Sequence, residues 1–399
     1  MHFRHLCRLL TARSTLWTEM VVESTINHVP GDAALRRHLD YTVQQTPLVL
    51  QLGGSQPGSL ATAAARASQF GYDELNLNCG CPSPRVAGRG CFGAALMTAP
   101  GTVAEACAQM RAASGLDVSV KCRTGVDDTD SYAELCRFID TVATQGGVTH
   151  FIVHARKALL DGLSPEDNRR IPVLQYERVF ALCRDFPELR FTLNGGLRSM
   201  AHVHAARAHA QHTLGGAGAG LAGCMLGRAA WERPWEVLSD VDRAVYGDPA
   251  GNPAASRRAV IQEYCAYADA IRDAEADAHE DDAAGGRMAR FGRGHPRVRA
   301  LVKPLLNLFT GVPRGKVWRA VLDDALLQHS RLSEEKQREA RVADLLAASL
   351  RVLSPAALDE PPPVTAPYGS ADPVEVLAHG FSEASMPPCV DLHSAAASV

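Results

Sequence analysis

From residue 16 to about 231 the chain alternates short apolar runs of β type with stretches of helical period, and this alternation limits its fold more than any other feature. The runs are LWTEMVV, LVLQLGG, ELNLNCGC, DVSVKCRTG, HFIVHARK, RFTLNGGL and GCMLGRAAW, seven strand candidates. Between them lie segments such as Ser59 to Phe70 and Thr102 to Ala113, with Ala, Leu and Val at helical spacing and Gly at the stops. Repeated βα units with apolar strands predict a parallel sheet buried on both faces, either doubly wound or closed as a (β/α)8 barrel. Polar residues end nearly every strand, which favours the TIM barrel, whose chemistry sits at the strand C-terminal ends. Seven is one short of eight. Because the chain opens in a helix-like segment, the pattern predicts that the first strand is missing from this N-terminus.

Beyond Pro234 only helical periodicity remains. Val260, Ile261, Tyr264, Cys265, Ala268 and Ile271 make one apolar stripe, and Val317, Trp318, Val321, Leu322 and Ala325 another. The expected organisation is a barrel over residues 1–245, a small helical domain over 253–352 with an acidic, Gly-containing insert at about 275–286, and a Pro- and Ala-rich disordered tail over 354–399. A second irregular insert, HTLGGAGAGLAG, precedes the last strand. With 399 residues and 46% hydrophobic content, the chain is long enough to bury a large core. No apolar run approaches the ~20 residues that cross a bilayer, so no membrane partner is expected. Eleven irregularly spaced cysteines suit free thiols in a reducing compartment better than a disulfide framework. The Arg-bearing start MHFRHLCRLLTARSTLW admits two readings, an organelle transit peptide or a first helix of the folded domain, and the second is favoured. The expected location is accordingly the cytoplasm, or an organelle matrix if a longer N-terminus carries a transit peptide.

Net charge, formally -3, says little, but its distribution says more. Between Ala283 and Leu322 there is no acid, whereas Arg287, Arg290, Arg293, Arg297, Arg299, Lys303, Arg314, Lys316 and Arg319 are all present. A one-signed run of this length, with Phe291 and His295 inside it, points to a polyanion such as nucleic acid rather than to an ordinary solvated face.

The strand ends form a set: Gln51, then Asn78 and Cys81, Lys121 and Arg123, His154 and Arg156, Asn194, and Arg228. Polar groups at that frequency would be costly if simply buried, so a site at the barrel mouth is the economical reading. Asn194-Gly195-Gly196 and Gly227-Arg228 end the last two strands, where barrels bind phosphate through backbone N–H groups, and a phosphorylated cofactor follows. Lys121 and His154 would lie beside its ring, where a cation can stabilise a reduced flavin. Zinc needs four clustered ligands, and Cys79-Gly80-Cys81 has one intervening residue and no second pair nearby, so no metal is expected. A redox dithiol prefers C-x-x-C. What remains is a single thiol in the Gly80-Cys81-Pro82-Ser83 turn; an ordinary thiol, with a pKa of ~8.5, is mostly protonated at neutral pH and can donate a proton.

In the stretches YTVQQTPLVLQLGGS, GYDELNLNCGCPSPRVAGRGCFGAALM, SVKCRTGVDD, FIVHARKALLDGLSPEDNRRIPVL, RDFPELRFTLNGGLRS, CMLGRAAWERPW and LLNLFTG, the sequence resembles the tRNA-dihydrouridine synthases, most closely the synthase A branch. The resemblance implies an FMN enzyme, a monomer, that uses NADPH to reduce the C5–C6 bond of D-loop uridines around position 20/20a of tRNA. It implies that Cys81 protonates C5, and that Gln51, Lys121, His154, Asn194, Gly195, Gly196, Gly227 and Arg228 bind FMN. Asn78 would contact the target uridine, and Arg123, Arg169 and Lys303 the tRNA. Lys303 stands where the family usually has Arg, and Pro304 should kink its helix. Cys79 occupies a position that is commonly aliphatic in the family. Two other readings are a flavin reductase of a free pyrimidine and a flavin-less tRNA-binding protein.

Overall fold

Alternation within each strand, not uniform apolarity, organises the sheet. In the computed structural model, which describes residues 1–41, 45–83, 92–215, 220–285, 298–364 and 386–390, eight strands run parallel. They are β1 (Leu16–Trp17), β2 (Val21–Val22), β3 (Leu48–Gly53), β4 (Glu74–Cys79), β5 (Val118–Arg123), β6 (His150–His154), β7 (Arg190–Asn194) and β8 (Gly223–Met225). β1 and β2 are two halves of one stave, both paired with β3, and from β3 to β8 each strand pairs with the next in sequence. The first expected strand, LWTEMVV, is thus broken in two. This is the parallel, curled sheet of a TIM-type barrel with seven staves; among the described residues β1 and β8 form no hydrogen-bonded pair with each other.

One face of this sheet carries Leu48, Leu50, Leu52, Leu75, Leu77, Cys79, Val118, Val120, Cys122, Phe151, Val153, Phe191 and Leu193, nearly all without solvent exposure. Helices following the strands cover it: Pro57–Ala67, Pro100–Ser114, Tyr132–Gly146, Tyr176–Asp185 and Met200–Leu214. At ~25 cal/mol per Å2 of apolar area, this layer is the main stabiliser of the barrel. Polar residues of the strands point the opposite way, with Val49 and Ile152 among them, as the two-residue period of a strand requires. They are Gln51; Glu74, Asn76 and Asn78; Ser119, Lys121 and Arg123; His150 and His154; Thr192 and Asn194. The expected strands buried in apolar surroundings on both faces therefore become strands with one apolar and one polar face.

Several helix ends are marked by capping side chains, proline or glycine. Ser131 and Glu134 make a reciprocal capping box on Tyr132–Gly146, and Pro leads the helices at Pro57 and Pro100.

The chain divides into two compact units, Thr15–Leu226 with Pro367–Val399, and Met1–Ser14 with Gly227–Ala366. This division differs from the expected 1–245 and 253–352. Within the second unit, helix His2–Leu10 buries Leu6 and Leu10, and His5 stacks on Tyr267 at 3.6 Å. The fully buried Asp242 carboxylate accepts hydrogen bonds from the Thr11 hydroxyl and from the N–H groups of Ala12 (2.6 Å) and Arg13 (3.2 Å). These contacts place residues 1–14 with the helices, whereas sequence pattern put them with the barrel. Helix Arg257–Gly285 continues through the expected insert. The apolar stripes hold except at Val317, which is 43% exposed. At Pro304 the predicted kink takes the form of a switch from helix Val298–Val302 to the 3-10 turn Lys303–Asn307.

Chain expected to be disordered from 354 is folded at its start. Ser354 caps helix Pro355–Asp359, Arg258 grips Asp359 with two bonds of 2.6 and 2.9 Å, and Arg257 donates to the Ala357 carbonyl. The remainder of that tail, 365–385 and 391–399, lies outside the described residues, as do positions 216–219 of the Gly-rich insert, Cys91, and the four arginines from 287 to 297.

Candidate active site

At the end of β4 the chain turns through Asn78, Cys79, Gly80 and Cys81, and the turn is braced on several sides. Asn78 Oδ1 accepts from the backbone N–H of Gly80 (3.1 Å) and of Cys81 (3.0 Å), the local side-chain-to-backbone closure that Asn makes readily. Arg123 Nε donates to the Gly80 carbonyl at 3.0 Å, and the N–H of Ala94 donates to the Cys81 carbonyl at 2.9 Å. Cys81 itself stays partly exposed. A thiol on so constrained a backbone has little freedom beyond its own rotamer.

Cys79 points the other way, onto the apolar face beside Cys122 and Cys107. It is fully buried, and burial, with those two thiols beside it, pushes its pKa well up. Cys122 and Cys107 are pushed up to about 12 by the same desolvation. These three are core residues. Among the described residues no cluster of three or more His, Cys, Asp or Glu is arranged to hold a metal ion.

Lys121 lies opposite Asn78 in the β4–β5 register. Its ammonium donates to Asn194 Oδ1 at 3.0 Å, and Asn194 Nδ2 in turn donates to the Met225 carbonyl at 2.8 Å. Desolvation by burial, with the Arg123 charge adding to it, lowers the Lys121 pKa to about 8. Lys121 is thus still mainly charged at neutral pH, yet held at a cost.

After β7 the backbone opens. Gly195 and Gly196 have φ of +107° and +70°, in the region that favours glycine, and a Cβ at residue 195 would stand 2.5 Å from His154 Cδ2. His154 is 7% exposed, and its strand neighbours are Arg123 and Asn194. The glycine pair therefore offers bare backbone beside an imidazole and within the same strand-end layer as a half-buried lysine. That combination fits a phosphorylated, electron-accepting ring system.

Arg123 departs from expectation. It is 2% exposed, and besides Gly80 its guanidinium donates to the carbonyls of Asn168 (3.1 Å) and Lys157 (3.4 Å). Its charge is spent inside the unit, joining the Cys81 turn to the loop after β6, rather than presented to an RNA backbone. That loop is folded around Asn168, which is fully buried and makes a reciprocal pair with the Leu159 backbone at 2.8 Å both ways. Arg169, next in the chain, is exposed. In the helical unit Lys303 is exposed with its ammonium 5.9 Å from the Trp231 ring centroid, and Gly227 precedes helix Arg228–Glu232. Gln51, Asn78, Cys81, Lys121, Arg123, His154, Asn194, Gly195 and Gly196 are thus brought together in the barrel unit, and Gly227, Arg228 and Lys303 belong to the helical one.

The dihydrouridine synthase family model matches residues 1–344. The chain belongs to that family. It is 41% identical over 323 residues to the tRNA-dihydrouridine(20/20a) synthase of Shewanella oneidensis, covering 81% of this chain and 84% of that protein. Against the protein of the same name from Vibrio cholerae it is 42% identical over 318 residues, with 80% and 85% covered. The Escherichia coli K12 protein gives 40% over 325 residues, with 81% and 82% covered. As a dihydrouridine synthase the protein is an oxidoreductase of a flavin-dependent family.

Asn76, Ser119 and Asn168 were not singled out by sequence reading. The parity of Glu74, Asn76 and Asn78 along β4 was a signal, since three polar residues at i, i+2 and i+4 must share one face.

Proposed function

We propose that the protein is a tRNA-dihydrouridine synthase acting on D-loop uridines at positions 20 and 20a, with FMN as its cofactor and NADPH as reductant, and that it works as a monomer. Relatives bearing that name at 40–42% identity support the substrate, and the braced thiol supports the mechanism. FMN would be held in the barrel unit by Gln51, Lys121, His154, Asn194, Gly195 and Gly196. When bound it supplies the hydride for C6 of the uracil, drawn from NADPH.

The Cys81 S–H bond breaks as its proton passes to C5, forming the second C–H bond of the product and leaving a thiolate. Arg123 holds the Gly80 carbonyl and so keeps the turn in place while the proton moves, and water returns a proton to the thiol after each turnover. Asn78 holds the turn so that the thiol, rather than its backbone, meets the base. A uridine within folded tRNA must leave its stack to reach such a mouth. Arg169 and Lys303, both exposed, supply phosphate contacts.

The observation that carries this reading is the Cys81 turn, pinned by Asn78, Arg123 and Ala94 beside a desolvated lysine. The test is single-turnover reduction of tRNA by the flavin-loaded chain, read as dihydrouridine by nucleoside mass spectrometry. Cys81→Ala should retain tRNA binding and lose turnover by about 100-fold or more, while Cys79→Val and Cys91→Ala remain active. Equal loss in all three would defeat the single-thiol mechanism. A purified chain that takes up no flavin would instead support a tRNA-binding protein without redox activity.

A further inference from the structure

Below the mouth, an unbroken line of hydrogen bonds runs down the polar face of the sheet. The N–H groups of Gly80 and Cys81 donate to Asn78 Oδ1; Asn78 Nδ2 donates to Gln51 Oε1 at 2.9 Å; Gln51 Nε2 donates to Asn76 Oδ1 at 3.0 Å. Asn76 Nδ2 then donates to Ser119 Oγ at 2.9 Å, and Ser119 donates to the Glu74 carboxylate. Asn76 is fully buried and Ser119 is 1% exposed. His150 closes the far end, with Nδ1 3.4 Å from Glu74 and Nε2 2.9 Å from Thr192 Oγ1. From Glu74 to Asn78 is about 13 Å along the strand.

The direction of this line is fixed at both ends. Backbone N–H groups can only donate, so Asn78 must turn its oxygen to the Cys81 turn and its NH2 to Gln51. An ionised carboxylate can only accept, so Ser119 must give its proton to Glu74 and receive from Asn76. Between them the amides of Gln51 and Asn76 have one orientation that satisfies every bond. Flipping Gln51 would face NH2 against NH2 at Asn78, and relief by flipping Asn78 would leave the Gly80 and Cys81 N–H groups facing donors.

We infer that Asn76 is a positioning residue for the reaction: held by Ser119 and Glu74, it sets the amide polarity of Gln51 and Asn78 and thereby the turn that presents Cys81. The inference rests on the proposed role of Cys81 for its effect on rate, though not for its effect on the thiol. Asn76 touches neither substrate nor reacting atoms. Its influence passes entirely through two side chains and a backbone turn.

The test compares Asn76→Ala, which removes the acceptor for Gln51, with Ser119→Thr, which keeps the hydroxyl that anchors Asn76. Two readouts are taken on the full chain: steady-state reduction of tRNA in the flavin-loaded enzyme, and the rate of Cys81 alkylation by iodoacetamide at neutral pH without tRNA, followed by peptide mass spectrometry. Asn76→Ala should lower kcat about tenfold with the KM for tRNA within about twofold, because the phosphate contacts proposed for Arg169 and Lys303 are untouched. It should also change the Cys81 alkylation rate by about threefold or more, and Ser119→Thr should leave both readouts near wild type. Wild-type values for Asn76→Ala in both measurements, or an equal fall in Ser119→Thr, would overturn the inference. Should Asn76→Ala fail to fold, Ser119→Ala releases the Asn76 amide from below and should shift both readouts in the same direction; no shift there is equally fatal. If the wild-type chain reduces no uridine in tRNA, the proposed function fails, and the alkylation contrast still decides the line of hydrogen bonds.

Discussion

Lys121→Met should make the protein more stable at neutral pH while impairing its chemistry. The ammonium sits half-buried on β5, and desolvation with the Arg123 charge lowers its pKa from 10.5 to about 8. A fall of that size corresponds to about 3 kcal/mol of folding free energy lost while the side chain is charged in both states. Methionine has nearly the same length and removes that penalty, but it also removes the charged hydrogen bond to Asn194 Oδ1, which contributes about 1.5 kcal/mol. The difference predicts a gain of about 1–2 kcal/mol at about pH 7. The sign with pH follows from proton counts. Between about 8 and 10.5 the folded chain binds fewer protons at this site than the unfolded one, so wild-type stability rises with pH through that window and the advantage of the methionine shrinks. Urea unfolding of the flavin-free chain at about pH 7 and about pH 9.5, with wild type alongside, measures both points. A methionine variant less stable than wild type at neutral pH, or an advantage that grows with pH, would refute the reasoning.

Gly195→Ala should destabilise by about 2–4 kcal/mol and weaken flavin binding at least tenfold, because its Cβ would stand 2.5 Å from His154 Cδ2 at a φ of +107°; urea unfolding and fluorescence titration with FMN check the two parts. Asn168→Ala should cost about 1–3 kcal/mol and open residues 159–170 to proteolysis, since the paired Leu159 backbone loses both partners; limited trypsin digestion at Arg169 and Arg170 reads it directly. Lys303→Ala should weaken tRNA binding and reduce the slope of log affinity against log salt by about 1, with flavin reduction by NADPH unchanged. Filter binding at several salt concentrations distinguishes this from a general loss of fold.

Strand positions were legible because each apolar run is bounded by turn residues, and all seven candidates occur as staves. Their faces were less legible. DVSVKCRTG counts as apolar over a window, yet Ser119, Lys121 and Arg123 line one side and Val118, Val120 and Cys122 the other. Arg123 illustrates the same gap: a basic residue at a strand end suggests an anionic ligand, and only the packed loops reveal that three carbonyls occupy it. The first helix was assigned to the barrel because it precedes β1 in sequence. Asp242, more than two hundred residues away, supplies the hydrogen bonds that bind it to the helical unit instead.

Local chemistry could therefore be read from the chain alone. A thiol in a glycine-bounded turn, a lysine ending a strand and an Asn-Gly-Gly after another are short-range patterns, and backbone geometry dictates what each can do. The tertiary structure decided which of those groups is accessible and which is sealed in the core, because that depends on burial and on partners distant in sequence. Cys79 and Cys81 are two residues apart and chemically identical. One is sealed against helix Pro100–Ser114, the other is lifted into the mouth by Asn78, and the strand's two-residue period, cut short at Gly80, separates them.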